Sequence, residues 1–314
     1  MPRAALALIA LALGLGVPAS AVADSSYSLP RLVHNLDVRA NHVAWTVADN
    51  REREHLHGGF AETDHELPVP PAGFFDGLDL GTDRRGRTVL VYARCPKLEG
   101  RPCALYLYNP RSRRERRLES VSRRRCRQML PHIDRGILVF AREARRGRCR
   151  GGLFMKRPGH RLRRIMRKAP SKYDFAGRLI AFERYITATE PDPEGEPVVS
   201  EIRLLRIGRH RSRLVVRARG SMSRGGSEGP FVSGPRLDGG FVYWQRSVFG
   251  AQGRDDILRR PVRGGPTTTL ERAGRRYAAS SGGGLLSFAV NAPRLFYVFG
   301  GSEIGRVEPA PVFR

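Results

Sequence analysis

Six times along this chain a short apolar run closes on an aromatic residue, just after a turn carrying Gly or Asn. The runs are His42-Val43-Ala44-Trp45, Val89-Leu90-Val91-Tyr92, Ile137-Leu138-Val139-Phe140, Leu179-Ile180-Ala181-Phe182, Phe241-Val242-Tyr243-Trp244 and Leu285-Leu286-Ser287-Phe288. The closing aromatics stand at 45, 92, 140, 182, 244 and 288, giving steps of 47, 48, 42, 62 and 44 residues. A repeat in the forties filled with short strands is what a four-stranded propeller blade produces. The expected fold is all-β: a six-bladed β-propeller of four-stranded antiparallel blades. A β-sandwich also uses short strands and regular turns, but nothing in it demands this period six times over.

The pattern extends to the neighbouring strands. Around the second run, Leu78 to Leu80 forms a first strand, Ala104 to Tyr108 a third and Arg116 to Leu118 a fourth. The sixth unit is read as Tyr277 to Ser280, Leu285 to Phe288, Leu295 to Phe299 and Ile304 to Val307, with Phe288 on its second strand. Two insertions, Thr187 to Ser200 and the Gly/Ser-rich connector Gly220 to Gly229, account for the long step of 62. The ring closes either with the last blade's own strands or with Ser25 to Leu29.

Residues 1–23 have the form of an export signal. Arg3 precedes an apolar and Gly run from Ala4 to Val17, and Ala21-Val22-Ala23 fits a small-x-small cleavage site. The run is shorter than the roughly 20 apolar residues of a bilayer-spanning helix. The expected organisation is a signal peptide, 1–23, and one propeller domain, 24–314, secreted or held in the periplasm or cell envelope, with no membrane span after cleavage. In that compartment the four Cys should be oxidised. Cys95 and Cys103 flank one hairpin, while Cys126 lies in the connection to the next blade and Cys149 starts that blade's third strand. The pairing expected is Cys95–Cys103 and Cys126–Cys149.

Two segments carry a further likeness. Asp83-Arg84-Arg85-Gly86-Arg87-Thr88-Val89-Leu90-Val91-Tyr92-Ala93-Arg94 and Asp134-Arg135-Gly136-Ile137-Leu138-Val139-Phe140-Ala141-Arg142 resemble the blade repeat of TolB-like, WD40-like propellers. In that family a turn with Asp and Gly opens a strand ending in Ala-Phe. The Trp-Ser-Pro that precedes the turn there is absent from this chain. The resemblance implies a periplasmic or extracellular interaction scaffold.

Charge is the strongest chemical feature. The chain carries a formal +26. Residues 111–168 hold 20 Arg and two Lys against Glu115, Glu119, Asp134 and Glu143, a net +18 within 58 residues. Blade topology puts second-to-third loops and blade connections on one face. Arg123, Arg124, Arg125 and Arg127 would therefore share that face with Arg145, Arg146, Arg148 and Arg150, beside all four Cys. Such a patch attracts anionic polymers in a salt-dependent way. Export brings envelope or wall glycans closest, and the lack of a helix-turn-helix or zinc-finger pattern disfavours nucleic acid. The acidic segment Glu190 to Pro197 falls on the same face with opposite sign.

No catalytic, cofactor or metal-binding residue is selected by the sequence. Gly225-Gly226-Ser227-Glu228-Gly229 matches Gly-x-Ser-x-Gly in letters only, because the hydrolase motif needs a strand before it and a helix after it. His55, His57 and His65, with Asp64, read as an exposed hairpin. The acids Asp37, Asp79, Asp134, Asp174 and Asp238 recur near strand starts and read as turn residues. The function expected is a non-catalytic binding scaffold for a protein or an anionic envelope polymer. The alternative is a propeller enzyme, a glycan hydrolase or lyase or a metal-dependent lactonase, which would gather three or more acids or His in the axial channel.

Overall fold

A computed structural model describes residues 25–28, 33–39, 42–60, 65–96, 102–122, 126–144, 149–187, 196–223, 226–249, 254–273, 285–291, 294–299 and 303–307. Among them all regular structure is β, and no helix is long and apolar enough to cross a membrane. The first strand is β1 (Ser25–Ser28). One antiparallel sheet orders β2 (Val33–Arg39), β3 (His42–Ala48), β4 (Glu54–Phe60) and β5 (His65–Glu66). The next orders β6 (Phe74–Thr82), β7 (Thr88–Cys95), β8 (Ala104–Asn109) and β9 (Arg114–Arg117). A third orders β10 (Gln128–Asp134), β11 (Ile137–Arg142), β12 (Gly152–Lys156) and β13 (Arg163–Met166).

The following sheet has eight strands: β14 (Tyr173–Ala176), β15 (Leu179–Thr187), β16 (Glu196–Arg206), β17 (Arg213–Ser223), β18 (Gly226–Asp238), β19 (Phe241–Phe249), β20 (Arg254–Pro261) and β21 (Thr268–Ala273). Its halves are joined only where Ser221–Ser223 pairs with Gly226–Glu228. The last sheet contains β22 (Leu285–Asn291), β23 (Arg294–Phe299) and β24 (Glu303–Val307), with β1 paired to β24 as its fourth strand, Ser25 opposite Arg306.

Alternation along the second strands explains how the sheets stack. Val89, Val91 and Ala93 pack with Ile133, Leu138 and Phe140 of the following sheet, whereas Leu90 and Tyr92 pack with Ala44 and Leu56 of the preceding one. Val139 and Ala141 likewise turn toward Tyr173, Phe175 and Phe182. Successive side chains of a strand point to opposite faces, so a strand covered on both sides reads as an unbroken apolar run. Each large side chain fully buried this way contributes on the order of 1.5–3 kcal/mol. The core thus lies between sheets packed face to face. Their first strands meet in succession: β2 contacts β6, β6 contacts β10, β10 contacts β14, β14 contacts β18, β18 contacts β22, and β22 contacts β2. This is a β-propeller arrangement.

Three sequence expectations change. Phe288 lies on β22, an innermost strand against β2 and β18, and not on a second strand; Tyr277 to Ser280 lies outside the described residues. β22 is an apolar run like the second strands, so its aromatic does not reveal which of the two kinds of strand it marks. The Gly220–Gly229 connector is the hairpin end of β17 and β18. The described ends of the Thr187–Ser200 insertion, Thr187 and 196–200, lengthen β15 and β16, with Thr187 opposite Val198.

The outermost strands β9 and β13 are rich in Arg: Arg114, Arg116 and Arg117, then Arg163 and Arg164. Charge on an exposed edge discourages pairing with another chain, which gives part of the basic composition a structural role.

Candidate functional site in the axial channel

One register position on the inner strands gathers the titratable groups. Asp37 sits opposite Ala44, Asp79 opposite Val91, His132 opposite Val139, Asp174 opposite Ala181 and Arg236 opposite Tyr243. Each partner directly precedes the aromatic that marks its repeat. The position follows a bulge in four of these strands, between Val33 and Leu36, Phe75 and Leu78, Met129 and His132, and Ser233 and Arg236. Bulges re-aim the side chains that follow them. Gly77 and Gly234 take positive φ there, 85° and 59°, and Leu130 does so at 47° without glycine's freedom. Pro131 and Pro235 are tolerated because inner strands are sheet edges.

Asp37, Asp79, Asp134 and Asp174 are buried ties between sheets, whereas Asp238 flanks the Gly239-Gly240 turn as expected. Asp37 Oδ2 accepts the Leu80 backbone N–H at 2.5 Å, Asp79 Oδ2 that of Ile133 at 2.8 Å, and Asp174 Oδ2 that of Leu237 at 2.6 Å. Asp134 Oδ2 accepts from Gly177 N at 2.8 Å. A buried N–H left without an acceptor is costly, so each tie fixes one sheet against another. Asp49 and Asp83 act as turn acids of the expected kind, accepting from the N–H groups of Arg51 and Arg53 and of Arg85 and Arg87.

His132 lies between two of the carboxylates. Its Nδ1 is 2.9 Å from Asp79 Oδ1 and 3.2 Å from Asp174 Oδ1. Its ring is 4.7 Å from that of Tyr173, whose hydroxyl donates to the Leu130 carbonyl. Burial alone would lower the imidazole pKa, but Asp79 and Asp174 outweigh it and raise it to about 9. Burial, and next the neighbouring charge of Asp79, push Asp37 up to about 7. Asp174 is also desolvated, yet His132 brings it below the usual carboxylate range. Arg236 donates from Nε to the Phe288 carbonyl at 3.1 Å.

This ring of charges separates two chambers. A cavity of about 490 Å³ is lined by Asp37, Asp79, Asp174 and Arg236, together with the turns at Gly177 and Gly239. A smaller one of about 180 Å³ is lined by Asn35, His132, Tyr173, Arg236 and Phe288. Asp37, Asp79 and Asp174 line the larger cavity and His132 the smaller, which gathers the residue types that an enzyme would need. The missed signal was a short internal repeat, Pro131-His132-Ile133-Asp134 against Pro235-Arg236-Leu237-Asp238.

The cysteines are joined as Cys95–Cys103 and Cys126–Cys149, each at S–S 2.01 Å. Of the predicted binding arginines, Arg150 is exposed. Arg127 is engaged, 2.9 Å from Asp76 and with its guanidinium over the Phe74 ring. Arg123, Arg124, Arg125, Arg145, Arg146 and Arg148 lie outside the described residues. So does most of Glu190 to Pro197, with Glu196 and Pro197 on β16. Ser227 is on β18, and among the described residues no helix follows it. His55 is clasped between Glu66, 2.6 Å from Nδ1, and Asp49, 3.1 Å from Nε2, while the His57 ring stacks on Trp45.

No protein-family model matches the chain, and a search of curated proteins finds no match. Among solved structures it is similar to a puromycin-hydrolyzing peptidase of Mycobacterium tuberculosis: TM-score 0.52, 11% identity, covering 89% of this chain and 51% of that one. It also aligns with the β-propeller domain of the Trilobed protease from Pyrococcus furiosus: TM-score 0.49, 10% identity, 90% of this chain and 85% of that one. A prolyl endopeptidase aligns over 90% of this chain and 42% of its own length at 10% identity, with TM-score 0.47. The chain spans about half the length of the two whole peptidases. The likeness is one of fold. It does not single out the TolB-like family.

Proposed function

We propose that this chain is an exported β-propeller that binds an anionic polymer of the cell envelope, its sheets forming six four-stranded blades. Division of the eight-stranded sheet at its short β17–β18 junction gives two of those blades, and β1 on β24 would complete the ring. Two disulfides fit an oxidising compartment outside the cytoplasm. The observation that carries the binding role is the Cys126–Cys149 bond. It ties the stretch holding Arg123, Arg124, Arg125 and Arg127 to the one holding Arg145, Arg146, Arg148 and Arg150. On this reading the two guanidinium runs act together and favour sulfate, phosphate or carboxylate groups repeated along a chain.

Titration with dextran sulfate and with polyglutamate tests this reading. Binding should weaken on the order of a thousandfold between 50 and 200 mM salt if about six charges are neutralised. Replacing Arg145, Arg146 and Arg148 with Ser should flatten that slope. Affinity indifferent to salt would count against the proposal.

A second reading has its own observation. Asp37, raised to about 7, stands beside other buried carboxylates on a cavity large enough for a sugar or lactone ring. Carboxyl groups with separated pKa values are the elements of acid–base hydrolysis. Turnover of a glycan or lactone that is lost in Asp37→Asn would favour this enzyme over the binding module.

A further inference from the structure

The axial trio Asp79, His132 and Asp174 is built from the right groups, at the right spacing, for a task that neither reading uses. We propose that these three residues form a divalent transition-metal site, taking an ion of the Zn²⁺ or Mn²⁺ class in place of the imidazole Nδ1 proton. The inference stands whether or not the anion-binding face is correct.

The spacing comes first. Nδ1 of His132 lies 2.9 Å from Asp79 Oδ1 and 3.2 Å from Asp174 Oδ1, and each of the three residues offers a ligand atom within 4.8 Å of the others'. Adjacent ligands about 2.1 Å from a metal are separated by about 3.0 Å in octahedral and about 3.4 Å in tetrahedral geometry. The observed edges bracket the first value, so an ion could be seated with little movement of the ligands.

Orientation follows. The far carboxylate oxygens, Oδ2 of Asp79 and of Asp174, are held by the N–H groups of Ile133 and Leu237 on adjacent inner strands. Hydrogen bonds of this kind aim a ligating carboxylate and hold it still. The ligands come from three inner strands, β6, β10 and β14, so the scaffold and not a loop sets their separation.

Charge gives the third argument. With a neutral imidazole, the ligating carboxylates of Asp79 and Asp174 bring two negative charges in excess. A divalent cation balances that excess. One nitrogen and two oxygens suit borderline ions such as Zn²⁺, Mn²⁺ and Co²⁺ better than Ca²⁺ or Mg²⁺, which take oxygen ligands. The 490 Å³ cavity bounded by Asp79 and Asp174 leaves room for water at the remaining positions.

The experiment uses the full mature chain, untagged and treated with chelator, titrated with Zn²⁺ or Mn²⁺. One equivalent should bind saturably, and pulsed EPR of bound Mn²⁺ should show modulation from a coordinated ¹⁴N. His132→Gln and Asp174→Asn should each weaken binding by about 100-fold, whereas His55→Ala, which alters the exposed His–acid cluster, should leave it unchanged. Should Asp174→Asn not fold, the nitrogen signal of the wild-type protein and its loss in His132→Gln decide the matter. The proposal is overturned by absence of saturable binding up to millimolar ion, by Mn²⁺ bound without nitrogen modulation, or by binding that depends on His55.

Discussion

The Asp37 carboxylate accepts the backbone N–H of Leu80, one sheet away, at 2.5 Å. Both groups are buried, so deleting the acceptor strands a donor. Asp37→Ala should cost about 1–3 kcal/mol in urea denaturation at pH 7. Asp37→Asn keeps an acceptor oxygen and should lose clearly less. Equal losses would mean that the tie carries no stability.

Two glycines offer a sharper contrast. A Cβ on Gly81 would sit 1.7 Å from the Ile133 carbonyl oxygen, which is backbone of the neighbouring inner strand and has little room to retreat. Gly81→Ala should therefore cost about 3 kcal/mol or more, through overpacking between sheets. Gly86 has φ 75° and no atom within 4 Å of an added Cβ, so Gly86→Ala meets only backbone strain of about 1–2 kcal/mol. Denaturation midpoints of the two variants should fall in that order.

How much of this was legible beforehand depends on what each signal encodes. Trp45, Tyr92, Phe140, Phe182 and Trp244 mark second strands correctly because burial on both faces forces an apolar run. Phe288 misled because an inner strand obeys the same rule. The cysteine pairing was legible from position, since Cys95 and Cys103 flank one hairpin. The axial groups were not. Asp37, Asp79, His132, Asp174 and Arg236 differ in chemistry, and their likeness is one of register, set by bulges that insert a residue and break the spacing by which a repeat is recognised.

The two disulfides should contribute unequally. Cys95–Cys103 spans 8 residues and Cys126–Cys149 spans 23. Loop-closure entropy gives each about 2–4 kcal/mol, with the longer loop worth about 1 kcal/mol more. Paired Cys→Ser variants compared by thermal denaturation should rank accordingly, and the Cys126/Cys149 variant should also bind polyanions less tightly.

His55 supplies a pH-dependent term. Its hydrogen bond to Glu66 raises its pKa above the ordinary value; burial opposes this less strongly, and the hydrogen bond to Asp49 adds to the rise. A cation favoured by the folded state stabilises fully below the unfolded pKa of about 6.5, and that stability fades as pH rises through the folded value. The stability gap between wild type and His55→Asn should be larger at pH 5.5 than at pH 9, measured by urea titration at both. A gap that widens with pH would reverse the assignment.

Ser25 is paired with Arg306, so the chain's first described strand finds its place only against its last. The final sheet cannot assemble until β24 has emerged. Until then, β1 lacks its partner and offers an open flank to any passing chain. Loss of residues 303–307 should consequently show itself as clumping during refolding well before it shows as altered ligand binding, a vulnerability that a cell would meet by guarding the polypeptide in transit.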